Sequence, residues 1–310
     1  MTIEAPQEPA ANQFQQFIEA CEGDPHQLQD AYEKHRLNRN GQFKERILDP
    51  DFREWQFDEI LENVLQAERG ASPYVDKRNN LSFWARPPQH IRELIREIQQ
   101  EISAVAGPCL WLTPADHLHM TTLEMVSSRT ASEVDGVAAL LQEKLPIHDI
   151  VDYTLTHRAR LVRPVVSYDA AAMALSFVPA AGETTSQPGG AANDNYSYHH
   201  LRRDLWDIAA QSGHRLASRY NVPSAHVTIA RFAVPPGLEK GKEVESLINR
   251  KSAVVEKIED INQELRSSDW QRFGNSSRGE WIIGQERGLE LNKGQSWFGK
   301  GEAVLIGKGF

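Results

Sequence analysis

Two short stretches constrain this chain more than anything else in it. "HLHMTTLEM" (117–125) and "SAHVTIARF" (224–232) are apolar runs of strand length, each interrupted in phase by a histidine and then, two positions on, a threonine. Side chains alternate faces along a strand, and residues i and i+2 stand roughly 7 Å apart on one face. His119 and Thr121 therefore project together, as do His226 and Thr228, while Met120 and Val227 turn toward packed helices. Of the 11 histidines, only these two have Thr or Ser two positions later. The fold must present a polar pair on the face of each of two separate strands.

The chemistry of the pair points to phosphate. A hydroxyl donates to a phosphoryl oxygen, and an imidazole gives or takes a proton near neutral pH. One pair reaches one side of a phosphorus atom, whereas in-line displacement needs a base at the incoming oxygen and an acid at the leaving oxygen. Two pairs facing each other across a cleft meet that need, which explains one motif per lobe. The competing reading is two core histidines with satisfied hydrogen bonds.

The element order agrees with two lobes. From residue 80 onward strand, helix, strand, helix, strands recur, each half bearing one His-x-Thr strand, a weak internal duplication on mixed or antiparallel sheets. "NLSFWARP" reads as a strand, and "HIRELIREIQQEIS" as an amphipathic helix through Ile91, Leu94, Ile95, Ile98 and Ile102. "TASEVDGVAALLQEKL" opens with a capping box, Thr130 to Glu133. Residues 151–180 read as strands closed by a hairpin near Asp169. "HHLRRDLWDIAAQSG" and "EVESLINRKSAVVEKIEDINQEL" are helices, and "WIIGQE", "GLELN" and "EAVLIG" closing strands. "AGETTSQPGGAANDN" (181–195) is expected to be a mobile loop.

Before residue 79 the character differs. Residues 1–13 are expected to be a disordered leader, and 14 to about 68 helical. Phe14, Phe17, Ile18 and Cys21 recur at helical spacing, and Asp24 is an N-cap before Pro25. Phe57, Ile60, Leu61, Val64 and Leu65 make a third apolar stripe. The domain expectation is a leader and helical N-terminal extension over 1–78 and a bilobal domain over 79–310.

"HMT" and "HVT", each on a predicted strand that follows a strand and a helix, resemble the paired H-x-[ST] signature of the 2H phosphoesterase superfamily, which includes RNA 2′,3′-cyclic phosphodiesterases once described as 2′-5′ RNA ligases. "HVTIAR" is especially similar to these. The resemblance covers residues 79–310 and leaves the extension outside it. It implies an α+β, bilobal fold, with two mainly antiparallel sheets and outer helices around a central cleft. It also implies that His119 and His226 are the proton-transfer pair, that Thr121 and Thr228 hold the scissile phosphate, and that no metal or other cofactor is required. The expected activity is hydrolysis of a 2′,3′-cyclic phosphate at an RNA end or on a small cyclic nucleotide. The alternatives are a non-catalytic RNA-end or nucleotide binder of the same fold, or a zinc hydrolase using His117, His119 and His226.

Other residues are weighed against blander roles. His117 shares the predicted face of His119 and is a candidate substrate contact at the cleft rim; H-x-H on a strand also begins many zinc sites. Arg231, three positions after Thr228, falls on the opposite strand face unless the strand ends or bulges, so a salt bridge and a phosphate contact are equal expectations. Trp84, Trp111, Tyr196, Tyr198 and Phe232 are candidate base-stacking aromatics, most such residues being core. His199 and His200 are expected at a solvated helix terminus. "GNSSRG" and "NKGQSWFGKG" lack the strand-to-helix context of a phosphate loop and are discounted.

Composition narrows the partners. The formal net charge is −9, without a dense Lys/Arg run. A protein gripping long duplex nucleic acid shows a basic face, so the expected ligand is short or held at its end. No apolar run approaches the ~20 residues that span a bilayer. Cys21 and Cys109 form no metal-like pair, which fits a reducing compartment, cytoplasmic or nuclear. A monomer is expected.

Overall fold

In the computed structural model, which describes residues 11–70, 73–184, 194–216, 222–267 and 278–310, every strand pairing is antiparallel. Strands β1 (Asn79–Ala85), β2 (Leu110–Leu112), β3 (Met120–Arg129), β4 (Arg160–Tyr168), β5 (Ala172–Pro179), β6 (Ala225–Phe232), β7 (Trp281–Ile282), β8 (Arg287–Gly294) and β9 (Glu302–Lys308) divide between two sheets. The first runs β3-β1-β8-β9 and the second β2-β6-β5-β4-β7. One His-x-Thr segment thus belongs to each sheet. This is the α+β arrangement, with two antiparallel sheets and outer helices, expected from the sequence.

The helices are α1 (Gln13–Ala20), α2 (Pro25–Leu48), α3 (Glu59–Glu68), α4 (Gln89–Ala106), α5 (Ala131–Lys144), α6 (Ile147–Val151), α7 (Tyr198–Ala210) and α8 (Lys240–Arg266). Their local causes are those read from the chain. Ile91, Leu94, Ile95, Ile98 and Ile102 of α4 are all buried, as their spacing requires. Fully burying each such side chain is worth about 1.5–3 kcal/mol. The capping box of α5 forms: Glu133 N–H donates to Thr130 Oγ1 (3.3 Å), and Thr130 N–H to the Glu133 carboxylate (2.9 Å). Asp24 caps α2 by accepting from Gln27 N–H at 2.9 Å.

Residues 151–159 correct the strand reading. They finish α6 and form a 3-10 turn at Tyr153–Leu155, with His157 N–H bonded to the Tyr153 carbonyl, so β4 starts only at Arg160. The hairpin at Asp169 is as expected, its carboxylate accepting from Ala171 and Ala172 N–H (both 2.8 Å). The leader falls largely on residues 1–10, outside the described residues, and so do 185–193 of the expected loop and 274–277 of "GNSSRG".

The extension joins the core of the lobes. Phe14, Tyr32, Ile47, Phe52 and Trp55 belong to one continuous buried cluster with residues of both sheets. The buried stripe of α2 is polar: Gln29, Tyr32, Arg36 and Asn40. Its purpose is set by β4, where Pro164 lacks an N–H and Arg163 adopts φ +53°, breaking the register with β5 between Val162 and Val165. Arg36 donates to the carbonyls of Arg163 (2.6 Å) and Ser176 (3.0 Å), and Asn40 to that of Val166 (2.9 Å). Backbone left over by the bulge finds its partners in the extension. Among the described residues, no helix is long and apolar enough to cross a membrane.

Candidate active site

His119, Thr121, His226 and Thr228 line one cavity of about 70 Å³ between the two sheets, with Trp84 and Trp111 also on its wall. His226 and Thr228 share a face of β6 as the period of two requires. His119 stands one residue before β3, and His117 lies in the turn ahead of it, so the strand is shorter than the apolar run implied.

Each lobe adds a third polar side chain by the same device. On β3 two residues, Thr121 and Leu123, oppose the consecutive pair Trp84 and Phe83 of β1, which leaves Thr122 as a bulge. Thr122 turns inward and donates to the Phe83 carbonyl at 2.8 Å. On β6, Thr228 and Ala230 oppose Ala174 and Met173, leaving Ile229 as the extra residue. A one-residue bulge restores the facing of position i+3. Glu124 therefore joins His119 and Thr121 at the cavity, and Arg231 joins His226 and Thr228. Arg231 is at the cavity wall and is also 3.8 Å from the Asp58 carboxylate of the α3 N-cap.

The two rings are held differently. His119 Nδ1 donates to the carbonyl of His117 at 2.8 Å, which settles its neutral tautomer and leaves Nε2 as the exchanging nitrogen. Its ring stacks on Trp84 at 3.8 Å between centroids and 19° between planes, and the Arg86 guanidinium lies 4.7 Å from the same indole. Arg86 is fixed in turn by two bonds to Glu290 (2.8 and 2.9 Å). His226 Nδ1 is 2.9 Å from Ser224 Oγ. Burial pushes both imidazoles down to about 4. At His119 the carbonyl bond and Glu290 resist this, while Arg86 and His226 add to it. At His226 the basic neighbours Arg202, Arg39, Arg231 and His35 all add to it. In a chain of net charge −9 the cleft is locally cationic on this side.

Several expected residues take other places. His117 is outside the cavity wall and serves through its carbonyl. Among the described residues no group of three His, Cys, Asp or Glu is placed to hold a metal, so the zinc set of His117, His119 and His226 is not assembled. Trp84 supports His119, Tyr196 bonds Asp204, Phe232 is core, and Tyr198 is buried with its hydroxyl on the Thr121 carbonyl (3.1 Å). Trp111, partly buried, stays on the cavity wall. His199 is no solvated terminus: it is fully buried, edge-on to Phe14 and bonded to the Tyr32 hydroxyl at 2.8 Å. His200 completes a capping box with Ser197 instead.

Sequence reasoning missed one wall. "NKGQSWFGKG" places Ser296, Trp297, Phe298 and Gly299 at the cavity. It works as a packed turn, Arg231 lying 5.7 Å from the Phe298 ring. The signal available was its paired aromatics between glycines, which fit no strand or helix period.

No family model matches the chain, and no curated protein does. Among solved structures it is similar to a conserved protein of unknown function from Agrobacterium tumefaciens, with 10% identity, a TM-score of 0.41, and 74% of this chain and 86% of that one covered. It is also similar to Usb1 of Kluyveromyces marxianus, solved with uridine monophosphate, with 13% identity, a TM-score of 0.32 and 71% and 95% covered. Overlaps of this size say nothing of activity, which has to be read from the cleft.

Proposed function

We propose that the protein is a phosphodiesterase that hydrolyses a 2′,3′-cyclic phosphate at an RNA end or on a small cyclic nucleotide, with His119 and His226 as the acid–base pair. The observation that carries this is the convergence of two His-Thr couples, from different sheets, on one cavity of oxyanion size. Thr121 and Thr228 would donate to the non-bridging oxygens. Water gives its proton to the neutral imidazole and bonds to phosphorus; the bond from phosphorus to one ribose oxygen breaks, and the imidazolium protonates that oxygen. The product is a phosphomonoester, and the pair exchanges protonation states for the next turnover.

The surroundings favour His119 as the proton carrier. A carbonyl acceptor on Nδ1 and the Glu290 carboxylate both support its charged form, whereas His226 faces the arginines Arg202, Arg39 and Arg231. At neutral pH both rings are uncharged in the ligand-free cleft, and an arriving phosphate anion raises the affinity of both for the proton.

Turnover of a panel of nucleoside 2′,3′-cyclic phosphates, with and without EDTA, tests the reading. His119→Ala and His226→Ala should each lower the rate by at least ~10²-fold without unfolding the protein. Chelation should change nothing. Turnover surviving in the double variant would overturn the mechanism, and saturable binding without product would make the protein a binding module.

A further inference from the structure

The face of the second sheet that carries His226 and Thr228 does not end at the cavity. Ser176 of β5 is the cross-strand partner of His226, and Ala174 that of Thr228, so these small side chains continue the same face toward β4. Ser167 of β4 follows, its hydroxyl 2.6 Å from that of Ser176. Small residues leave a groove above this floor, about 250 Å³ in volume, and Ser224, His226 and Thr228 border it as they border the site. Its far wall is α2, through His35, Arg36 and Arg39.

These three basic side chains differ in availability. Arg36 is buried and committed to the carbonyls of Arg163 and Ser176 and to Glu33. His35 is half-buried, and the Arg39 side chain is 47% exposed. The acid on this wall is Asp169, 2.5 Å from Arg39 and already accepting from two backbone N–H groups. One carboxylate oxygen takes one arm of the Arg39 fork and leaves further N–H donors for a ligand. Both His35 and Arg39 are close enough to act electrostatically on the His226 ring.

We propose that the N-terminal helical extension supplies a second phosphate subsite at Arg39 and His35, so that the substrate is an oligonucleotide: its end lies between the two histidines and its neighbouring phosphate lies in the groove beneath α2. The inference rests on the reading of the cleft as a phosphodiester site and specifies its substrate class. It also gives the extension a role in recognition beyond packing.

The test compares a uridine trinucleotide ending in a 2′,3′-cyclic phosphate with uridine 2′,3′-cyclic phosphate, as kcat/KM, for the full chain, Arg39→Gln and Arg39→Lys. In parallel, equilibrium binding is measured for the trinucleotide 3′-phosphate and uridine 3′-phosphate. The expected result is at least a tenfold preference for the trinucleotide, carried by KM, that falls at least tenfold in Arg39→Gln and is largely kept in Arg39→Lys. Equal kcat/KM for the two substrates in the unaltered protein, or an intact preference in Arg39→Gln, would overturn the subsite while leaving the phosphodiesterase reading in place. If neither substrate is hydrolysed, that reading fails and binding decides the subsite: tighter trinucleotide binding that is lost in Arg39→Gln supports it, and equal binding of the two ligands overturns it.

Discussion

A side chain on Gly299 would run into the carbonyl of His117, the same carbonyl that holds the Nδ1 proton of His119. The glycine also sits at φ +78°, in the left-handed region where an L side chain costs roughly 1–2 kcal/mol. A turn from the C-terminal part of the chain thus packs against the carbonyl that fixes the tautomer of a histidine from the first lobe. Gly299→Ala should push the carbonyl aside, release the His119 ring and lower kcat by about tenfold or more. A kinetic comparison alongside a thermal melt checks this; full activity in a normally folded variant would detach the turn from the site.

Acidity should report on the two rings in two ways. With both imidazoles near 4 in the free protein, kcat/KM should peak on the acid side and decline as pH rises, because the acid form is lost. The profile of kcat reports the complex, where bound phosphate supports the imidazolium, and should be displaced upward. Rate profiles for kcat and kcat/KM sharing midpoints near the ordinary histidine value would contradict the buried, cationic cleft. Stability runs the opposite way with pH. These histidines, with His199 at about 3, bind their proton less readily folded than unfolded. Their contribution is complete above about pH 6.5 and is lost as pH falls toward 4. Urea midpoints measured across that window should fall with falling pH, and less steeply in His226→Gln.

Trp84 should govern the acidity of His119. The indole covers the ring at 3.8 Å. Replacing it by leucine opens the ring to water, so a titration of the His119 ring by NMR should move from about 4 toward 6.5. Deleting this much buried aromatic surface also costs about 2–4 kcal/mol of stability. An unmoved titration would mean that burial by the opposite lobe, and not the indole, sets the value.

What could be read from the chain, and what could not, divides along physical lines. Period-two facing placed His119 with Thr121 and His226 with Thr228, because alternation along a strand is a local property. It could not place Glu124 or Arg231, since a bulge is visible only in the register with the partner strand. Apolar spacing found α4 and α1, but the buried stripe of α2 is polar and reads as a solvated face. Only the bulged β4 opposite explains why Arg36 and Asn40 go inside, and Gln29 goes in to reach the Pro179 carbonyl at the end of β5. His199 was misread for a related reason: a helix-start histidine looks solvated until α1 and α2 bring Phe14, Phe17 and Tyr32 around it. Net charge, a property of the whole surface, likewise concealed the three arginines around His226.

Arg36 and Arg39 stand on one helix less than a turn apart, and their replacement should have opposite consequences. Arg36 is buried, and removing its guanidinium leaves the Arg163 and Ser176 carbonyls at the β4 bulge without that donor. Lost buried hydrogen bonds of this kind, with Glu33 left beside them, cost about 2–4 kcal/mol. Arg36→Ala should therefore lower the urea midpoint strongly and loosen α2 from the second sheet. Arg39 is half exposed and holds an ion pair with Asp169 on the surface, with its guanidinium 5.2 Å from the Phe43 ring. Such a pair is worth about 0–1 kcal/mol, so Arg39→Gln should melt close to the parent while changing which substrates are preferred. Equal losses of stability in the two variants would mean that α2 is latched by its whole cationic edge, and the groove beneath it would then be a packing gap.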